Sequence, residues 1–496
     1  MGIELILDMA AGSYDARAAA GGRGAGLSYA ELDRAAAGAA ALIGAAGSGS
    51  VAYLGLNGPV LPVLLFAAAR ARVPVCPLNY RLSADQLREL LDQLDAPYIV
   101  VGTEHLDLVP DREVRVADEW LAAAATAPAG DADPPADDSP AVLLFTSGTT
   151  AAPKAALLRH ENLLSYVLQT VEFASADESD AILISVPPYH VAGVGAALTN
   201  VYSGRRMVYL PDFSPERWLD TVRAEGITNA MVVPTMLARV VEHLAGRPAD
   251  TPSLRTLAYG GARMPATVLD AALEAFPGVD FVNAYGLTET SSTIAVLGPD
   301  DHRAAHASTD PAVRARLGSI GRFVPGIEAQ IRDETGDEVR PGDTGELWVR
   351  GPQVSGEYRG RGSVVDADGW FPTRDLAHVD DDGFVFLHGR ADDTIIRGGE
   401  NIAPQEIEDV LVHFPGVRDA AIIGLPDDEW GQRIVAVVVA DPASLVDPDE
   451  LRSFVRARLR GSRTPDDVVI RGELPYSPTG KLLRRTLVDE LAAFSG

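Results

Sequence analysis

Short apolar runs alternate with amphipathic stretches along the first 290 residues of the chain. Four runs predict buried strands, at 51–54, 98–101, 142–145 and 231–233. Three stretches have helical spacing, at 83–94, 162–171 and 265–276, and Ser83 is placed as the N-cap of the first. Alternation of this kind predicts layers of helices on largely parallel sheets.

The pattern changes after Gly318. Gly and Asp turns then separate alternating runs such as 345–350, which predicts an antiparallel, β-rich section as far as Leu387. After Arg390 a second α/β pattern begins. Its expected elements are helices near 405–412 and 449–459 and a strand at 434–440.

These patterns predict an α/β protein of two domains. A large N-terminal domain of layered α/β sheets, with a β-rich subdomain, is expected at 1–391. A small α/β C-terminal domain is expected at 392–496, since about a hundred residues are enough for a separate domain.

Composition narrows the possible partners. The formal net charge of −28 argues against nucleic acid and anionic membranes, because the long-range field repels both. The N-terminus has no signal-peptide pattern, and no apolar run approaches the ~20 residues that span a bilayer, so we expect a cytoplasmic protein with no membrane span. The single cysteine, Cys76, is expected to be a small buried hydrophobe rather than a nucleophile.

Lysine is almost absent. Of 42 basic residues, only Lys154 and Lys481 are lysine. Arginine is a wide planar fork, whereas lysine is a compact charge on a flexible stem. The two retained lysines therefore mark positions that need the smaller head, or else survive by chance.

Lys154 ends a loop rich in hydroxyls that follows a predicted strand. Backbone N–H groups, hydroxyls and an ammonium can together surround phosphate oxygens, although a Ser/Thr-rich turn is the simpler alternative. The spacing is not that of a Walker loop. The residues expected to contact phosphate are Thr146, Ser147, Gly148, Thr149, Thr150 and Lys154.

This loop resembles the phosphate-binding signature of the adenylate-forming superfamily, which includes acyl- and aryl-CoA synthetases, nonribosomal adenylation domains and luciferases. Seven more segments resemble the family motifs in the family order: 259–262, 283–289, 344–347, 370–375, 389–393, 398–402 and 475–481. The resemblance implies an enzyme of the acyl-/aryl-CoA synthetase branch that uses ATP to convert a carboxylic acid into an acyl-AMP.

The resemblance also implies roles for residues around the nucleotide. Tyr285 offers a flat face for adenine, Glu289 is an oxygen ligand for Mg²⁺, and Asp375 accepts from the ribose hydroxyls with Arg390 in support. The catalytic set is expected to contain Thr288 and His190 as well as Glu289 and Lys481. The remaining residues expected to bind ATP or AMP are Gly260, Gly261, Ala262, Asn283, Ala284 and Gly286.

Two half-reactions are implied for the C-terminal domain. Lys481 is expected to bring a cation between the attacking carboxylate and the α-phosphate. Asp392 matches the hinge about which the domain turns. The turn then brings a second segment to the acyl-AMP for reaction with coenzyme A, at Gly398, Gly399 and Glu400.

The segment 187–193 resembles the aromatic-His motif of acyl- and aryl-CoA synthetases. No Asp lies between Val186 and Gly195 to hold an ammonium, so the substrate is expected to be a carboxylic acid without an α-amino group. The acyl group is expected to contact Tyr189, His190, Val191, Val194 and Val232. Transfer to a carrier protein is the competing activity, and a fold that only binds nucleotide is the competing non-enzyme reading.

Two residues depart from the family pattern. Ala151 and Arg374 both occupy positions where the family usually has glycine. The alanine puts closure of the phosphate loop in question, and the arginine places a bulky cation near the ribose.

Overall fold

A computed structural model describes residues 2–129, 139–146, 154–427, 429–442, 444–459, 461–477 and 480–492. The chain divides into two compact units. The first is Met1–Glu328 with Val349–Phe371, and the second is Ala329–Trp348 with Pro372–Gly496. The hinge at Asp392 and the domain boundary beside it stay predictions.

The secondary structure follows the apolar pattern. The helices are α1 Glu4–Tyr14, α2 Tyr29–Ala45, α3 Val60–Arg70, α4 Ala84–Asp92, α5 Ala117–Thr126, α6 His160–Thr170, α7 Val191–Ser203, α8 Pro215–Glu225, α9 Pro234–Leu244, α10 Ala266–Ala275, α11 Pro299–Ala307, α12 Pro311–Ala315, α13 Pro404–Leu411, α14 Pro448–Arg456 and α15 Arg484–Ala492. The strands are β1 Ala18–Ala20, β2 Leu27–Ser28, β3 Ser50–Leu54, β4 Val75–Pro77, β5 Pro97–Val101, β6 Val114–Val116, β7 Pro140–Thr146, β8 Lys154–Arg159, β9 Ala181–Ile184, β10 Arg206–Tyr209, β11 Asn229–Val232, β12 Thr256–Gly260, β13 Asp280–Leu287, β14 Ser292–Leu297, β15 Arg322–Phe323, β16 Glu328–Arg332, β17 Gly345–Arg350, β18 Glu357–Tyr358, β19 Gly362–Ser363, β20 Phe371–Val379, β21 Val385–Arg390, β22 Ile395–Arg397, β23 Glu400–Ile402, β24 Val417–Asp427, β25 Gly431–Ala440 and β26 Asp467–Arg471.

Two large sheets form the first unit. One has nine strands in the order β15-β14-β13-β12-β11-β9-β10-β1-β2, and the other has eight in the order β19-β18-β8-β7-β4-β3-β5-β6. The four strands predicted from apolar runs all lie inside these sheets, as β3, β5, β7 and β11. Parallel pairing dominates around them, for example between β3 and β5 and between β11 and β12. The predicted layered α/β architecture is confirmed.

Helix α3 shows why these layers are stable. Ten of its residues, Val60 to Ala69, are buried, so it is apolar on all sides and belongs to the first hydrophobic cluster. Cys76 on β4 is likewise buried and is a free thiol. Ser83 caps α4 as predicted, because its hydroxyl accepts the Gln86 N–H while the Gln86 side chain accepts the Ser83 N–H.

The second unit contains three smaller sheets. The β-rich section forms the antiparallel sheet β16-β17-β20-β21, β22 pairs with β23 as a hairpin, and β24-β25-β26 carries the helices α13 to α15. The core between α13, α14 and β25 is built from aliphatic side chains such as Ile407, Ile434 and Leu451. Among helices in the described parts of the chain, none has the length and apolar character required to cross a membrane.

Candidate active site

The predicted phosphate loop joins two paired strands of the first unit. Strands β7 and β8 are antiparallel with Thr146 opposite Lys154, and the Thr146 hydroxyl donates to the Lys154 carbonyl at 3.3 Å. The loop between them contains the predicted contacts Ser147, Gly148, Thr149 and Thr150, and also Ala151; all of these lie outside the described residues. Of the predicted phosphate-binding residues, the structure therefore places the two at the base of the loop.

The predicted adenine-binding segments are neighbours at the ends of parallel strands. Strand β12 ends at Gly260, which pairs with Ala284 on β13, and Tyr259 pairs with Asn283. A Cβ at Gly260 would lie 2.2 Å from the Ala284 carbonyl oxygen, so the close approach of the two strands requires glycine. This brings Gly261 and Ala262 to the same sheet edge as Tyr285 and Gly286.

Hydrogen bonds to residues that follow in sequence hold the ends of β12 and β13. The buried Tyr259 hydroxyl lies 2.9 Å from His302 Nε2, and His302 Nδ1 lies 2.8 Å from the Gly298 carbonyl. Burial lowers the pKa of His302, so the ring is neutral and one nitrogen donates while the other accepts. The Asn283 amide donates to the Ser319 carbonyl at 3.0 Å. The Asn283 side chain is therefore used to fix its strand.

Glu289 lies on a short 3₁₀ turn, Thr288–Thr290, directly after β13. The buried Thr290 hydroxyl accepts the Leu287 N–H at 2.9 Å, while Ser291 and Ser292 follow with left-handed φ values of 55° and 106°. Non-glycine residues in such conformations cost on the order of 1–3 kcal/mol each and persist only where surrounding contacts hold them.

Those contacts come from the segment 353–358, which we call the glutamate clamp. The buried Gln353 amide donates to the carbonyls of Thr290 and Thr293, at 3.0 and 2.9 Å. The backbone N–H groups of Ser355 and Gly356 both donate to the Glu289 carbonyl, at 2.8 and 3.2 Å. The clamp thus fixes the backbone that presents the predicted metal ligand.

Tyr358 extends the clamp to the side chains. Its hydroxyl donates to Glu289 Oε1 at 2.6 Å, and the Lys154 ammonium lies 5.6 Å from the centre of its ring. That distance is within the range of a cation–π contact. Tyr358 on β18 pairs with Ala156 on β8, which explains how one residue reaches both groups. No sequence motif singled it out, because its role depends on this pairing across about two hundred residues.

His190 caps the helix α7 in the predicted acyl-binding region. Its Nδ1 accepts the Ala192 N–H at 3.4 Å, and burial lowers the pKa of the imidazole. The neutral ring therefore carries its proton on Nε2. The neighbouring Tyr189 contacts Tyr80 edge to face at 5.4 Å between ring centres, and Tyr80 stacks on His105 at 4.9 Å. An aromatic cluster thus adjoins the predicted acyl-binding histidine.

The predicted apolar acyl contacts are packed into hydrophobic cores. Val194 and Val232 have no accessible surface, and they belong to two different clusters. Val191, with 5% of its surface exposed, belongs to the first cluster with Val194. The structure therefore does not bring these valines together as one accessible wall. The sequence does not show this, since an apolar residue near a motif can belong either to the core or to a ligand wall.

In the second unit, Asp375 on β20 lies opposite Arg390 on β21. The Arg390 guanidinium donates to Asp375 Oδ1 at 3.0 Å, and Asp375 is buried. The preceding residue, Arg374, has a φ of 65°, which is the left-handed region that favours glycine. The pairing of Asp375 with Arg390 matches the sequence expectation, and the positive φ gives the physical reason for the glycine usually found at position 374.

Asp392 lies on the 3₁₀ turn Ala391–Asp393 that follows β21. Shortly after it, the hairpin β22–β23 places Gly398 and Gly399 at its two-residue turn. The carboxylate of Glu400, the first residue after this turn, forms an ion pair with Arg463.

Lys481 is exposed at the end of a tight loop of the second unit. Its N–H donates to the Ser477 hydroxyl at 3.0 Å, and the Ser477 N–H donates to the Lys481 carbonyl at 2.7 Å. Tyr476 anchors the start of the loop by donating to Asp419 at 2.8 Å. After the lysine, the half-buried Arg484 donates to Glu408 and to the Ile422 carbonyl. Contacts of the described residues on both sides therefore hold the lysine, whose side chain is exposed.

The carboxylate of Glu289 suits Mg²⁺, which prefers oxygen ligands and commonly keeps several waters and phosphate oxygens. Within the described segments, no group of three or more His, Cys, Asp or Glu side chains is arranged to hold a metal ion by itself. Glu289 with the phosphates of ATP is a donor set that fits the ion.

Two family models match the chain. Residues 7–359 match the family model described as AMP-binding enzyme, and residues 406–481 match the model described as AMP-binding enzyme C-terminal domain. Among solved structures, ATP-bound MatB from Rhodopseudomonas palustris is similar to the chain. The TM-score is 0.89, the sequence identity is 28%, and the match covers 100% of both chains.

Curated relatives share about a third of their residues with this chain. A feruloyl-CoA synthase from Amycolatopsis is 36% identical over 93% of both chains. A fatty acid–[acyl-carrier-protein] ligase, ScoC, from Streptomyces coeruleorubidus is 32% identical over 88% of this chain and 86% of its own. An indoleacetate–CoA ligase from Aromatoleum aromaticum is 32% identical over 91% and 89%.

Proposed function

The chain belongs to the AMP-binding enzyme family and is an AMP-forming acid–CoA ligase, and we propose that its acid carries an aromatic ring and no α-amino group. The observation that carries the reaction is the convergence of Lys154, Glu289 and Tyr358 beside the predicted adenine edge.

In the first half-reaction, a carboxylate oxygen of the acid attacks the α-phosphorus of ATP. A new P–O bond forms, the bond to the β-phosphate bridging oxygen breaks, and pyrophosphate leaves. Lys154 contacts the phosphates and Glu289 holds Mg²⁺, which when bound neutralises part of the triphosphate charge. Lys481 supplies the cation between the two reacting anions, because preorganised charge at that point stabilises the transition state.

In the second half-reaction, the sulfur of CoA attacks the acyl carbonyl carbon. A C–S bond forms, the C–O bond to AMP breaks, and the thiol proton passes to solvent. The Gly398–Gly399 turn presents its backbone to the pantetheine arm. Lys481 and this turn belong to one compact unit and serve different half-reactions, which is the reason to expect a hinge at Asp392.

Two observations support an aromatic acid. The cluster of Tyr80, Tyr189 and His105 adjoins His190, and aromatic side chains favour aromatic ligands through edge and face contacts. The names of two relatives, the feruloyl-CoA synthase and the indoleacetate–CoA ligase, are those of enzymes for acids that contain a ring.

The sequence supports an acid without an α-amino group. No acidic residue between Val186 and Gly195 is present to pair with an ammonium.

Three acids of similar size test the aromatic ring and the missing α-amino group separately. 3-Phenylpropanoate and phenylalanine differ only in the α-amino group, while nonanoate keeps the length without the ring. We expect kcat/KM for acyl-CoA formation to be at least tenfold higher with 3-phenylpropanoate than with either. Equal turnover of nonanoate would contradict the aromatic assignment, and faster turnover of phenylalanine would contradict the non-amino assignment.

The acceptor can be tested on the same intermediate. The carrier-protein alternative has a relative in ScoC. With acyl-AMP supplied, we expect CoA to be acylated faster than a phosphopantetheinylated carrier protein at equal concentration. Faster acylation of the carrier would make the chain a carrier-protein ligase.

A further inference from the structure

The two-residue turn at Gly398 and Gly399 has one covered face and one open face. Both glycines are left-handed, with φ values of 58° and 81°, and the Gly398 N–H donates to the Trp430 carbonyl at 2.8 Å. A Cβ on Gly398 would lie 3.0 Å from the Trp430 ring, whereas within the described residues nothing lies within 4 Å of a Cβ on Gly399. The face at Gly399 is the one available to a ligand.

Arginine pairs hold both strands that lead into this turn. Before it, Arg397 donates to Asp466 at 2.6 Å and to the Ser462 carbonyl at 3.2 Å. After it, Arg463 donates to Glu400. These contacts of Arg397 and Glu400 all involve the segment 462–466, which we call the brace.

Arg463 is the central residue of the brace. Its side chain is 14% exposed, and its guanidinium also donates to Glu406 Oε2 on α13 at 3.0 Å. A guanidinium is a rigid planar fork, so a group held between two carboxylates has little freedom to swing. Because Glu400 directly follows Gly399, fixing its carboxylate fixes the open face of the turn.

We propose that Arg463 is a positioning residue for thioester formation: through Glu400 it holds the Gly399 face against the pantetheine arm of CoA. The inference rests on the proposed function. Arg463, which sets the position of the turn, lies outside every family motif in the sequence. Near-attack geometry requires reacting atoms about 3–3.5 Å apart, and a displacement of about 1 Å can cost on the order of a hundredfold in rate.

The lysine of the first half-reaction has separate supports. The Lys481 loop is held by Ser477, by the Tyr476–Asp419 bond and by Arg484. None of these bonds involves Arg463. Loss of Arg463 should therefore affect the two half-reactions unequally.

The test measures each half-reaction in Arg463→Gln. We expect acid-dependent ATP–pyrophosphate exchange to stay within about twofold of the unaltered protein. We expect the single-turnover rate from supplied acyl-AMP and CoA to fall at least tenfold, with recovery of part of that rate in Arg463→Lys. Glu400→Gln should lower the same rate, and the double variant Arg463→Gln/Glu400→Gln should be no slower than Arg463→Gln, because one interaction is broken in all three.

Arg471→Gln is the matched control, since Arg471 lies in the same unit and pairs with Glu490. It should leave both rates unchanged. Equal loss of both half-reactions in Arg463→Gln, or an unchanged thioester rate, would overturn the proposal. An additive double variant would overturn it too. Absence of exchange in the unaltered protein would instead contradict the proposed function on which the inference rests.

Discussion

The hydroxyl of Tyr358 donates to Glu289 Oε1 at 2.6 Å while its ring faces the Lys154 ammonium at 5.6 Å. One side chain therefore connects the predicted metal ligand to the base of the predicted phosphate loop. Because strand pairing fixes Tyr358 on β18, it can orient both groups before ATP arrives. Preorganised groups cost no rearrangement at the moment of reaction.

Tyr358→Phe separates the hydroxyl from the ring. The variant keeps the cation–π contact but frees the Glu289 carboxylate, so we expect the apparent KM for Mg²⁺ in pyrophosphate exchange to rise three- to tenfold. Binding of Mn²⁺ in the presence of ATP, followed by its electron spin resonance, should weaken in parallel. Tyr209→Phe is the control, since that hydroxyl contacts the Met207 sulfur at 3.8 Å, away from Glu289 and Lys154 in sequence. Unchanged metal dependence would show that the hydroxyl does not orient Glu289.

Lys481→Ala tests the cation of the first half-reaction. We expect exchange to fall about 10²–10³-fold, the loss typical of one preorganised electrostatic contact. The rate from supplied acyl-AMP should be largely retained. Lys481→Arg should also be slow, because the wide guanidinium does not replace a compact ammonium. Arg485→Ala, nearby in sequence and paired with Asp489 at 3.8 Å, serves as control. Equal loss of both half-reactions would remove the special role of Lys481.

Arg374→Gly tests the left-handed backbone beside Asp375. A non-glycine residue in this region costs on the order of 1 kcal/mol, so glycine should raise the free energy of unfolding by about 0.5–1 kcal/mol. Arg374→Ala removes the same guanidinium while keeping the strain, and should give no gain. Chemical denaturation of the three proteins decides the matter. A glycine variant less stable than the alanine variant would contradict the argument.

The buried imidazole of His160 should make the free energy of unfolding depend on pH. Burial lowers the pKa of its imidazole from 6.5 to about 4, and its Nδ1 accepts the Ile3 N–H at 3.2 Å. The folded state therefore binds fewer protons than the unfolded state. The neutral His160 therefore contributes up to about 3 kcal/mol to the free energy of unfolding. This contribution is present above pH 6.5 and is lost as the pH falls toward 4.

His160→Asn keeps an oxygen to accept the Ile3 N–H and does not titrate. We expect its free energy of unfolding to fall less steeply than that of the unaltered protein between pH 6.5 and 4.5. His413→Asn, the same substitution at an exposed position, is the control. Parallel slopes for the His160 and His413 variants would rule out the buried imidazole as the cause.

The sequence predicts the elements of the fold more completely than the residues of the candidate site. Strands such as β3 and β5 were predictable because both faces of a buried parallel strand are apolar. The pairing of Asp375 with Arg390 was predictable because two motifs carried the residues. Tyr358 and Arg463 were not, because their importance arises from partners 69 and 63 residues away along the chain.

The assignment of Val194 and Val232 to the acyl group stays a prediction, and their placement shows a different difficulty. Both are apolar and adjoin motifs, so the sequence offered no way to distinguish a ligand wall from a core. Only the layers of the fold decide this, and they bury both valines completely.

The central claim is that the acid is activated as an acyl-AMP, and the fate of its carboxylate oxygen tests this most directly. An acid labelled with ¹⁸O in both carboxylate oxygens is incubated with ATP, Mg²⁺ and CoA, and the products are weighed by mass spectrometry. Attack of the carboxylate on the α-phosphorus predicts one ¹⁸O in AMP, unlabelled pyrophosphate and one ¹⁸O in the acyl-CoA. Unlabelled AMP, or release of ADP with labelled phosphate, would contradict adenylation.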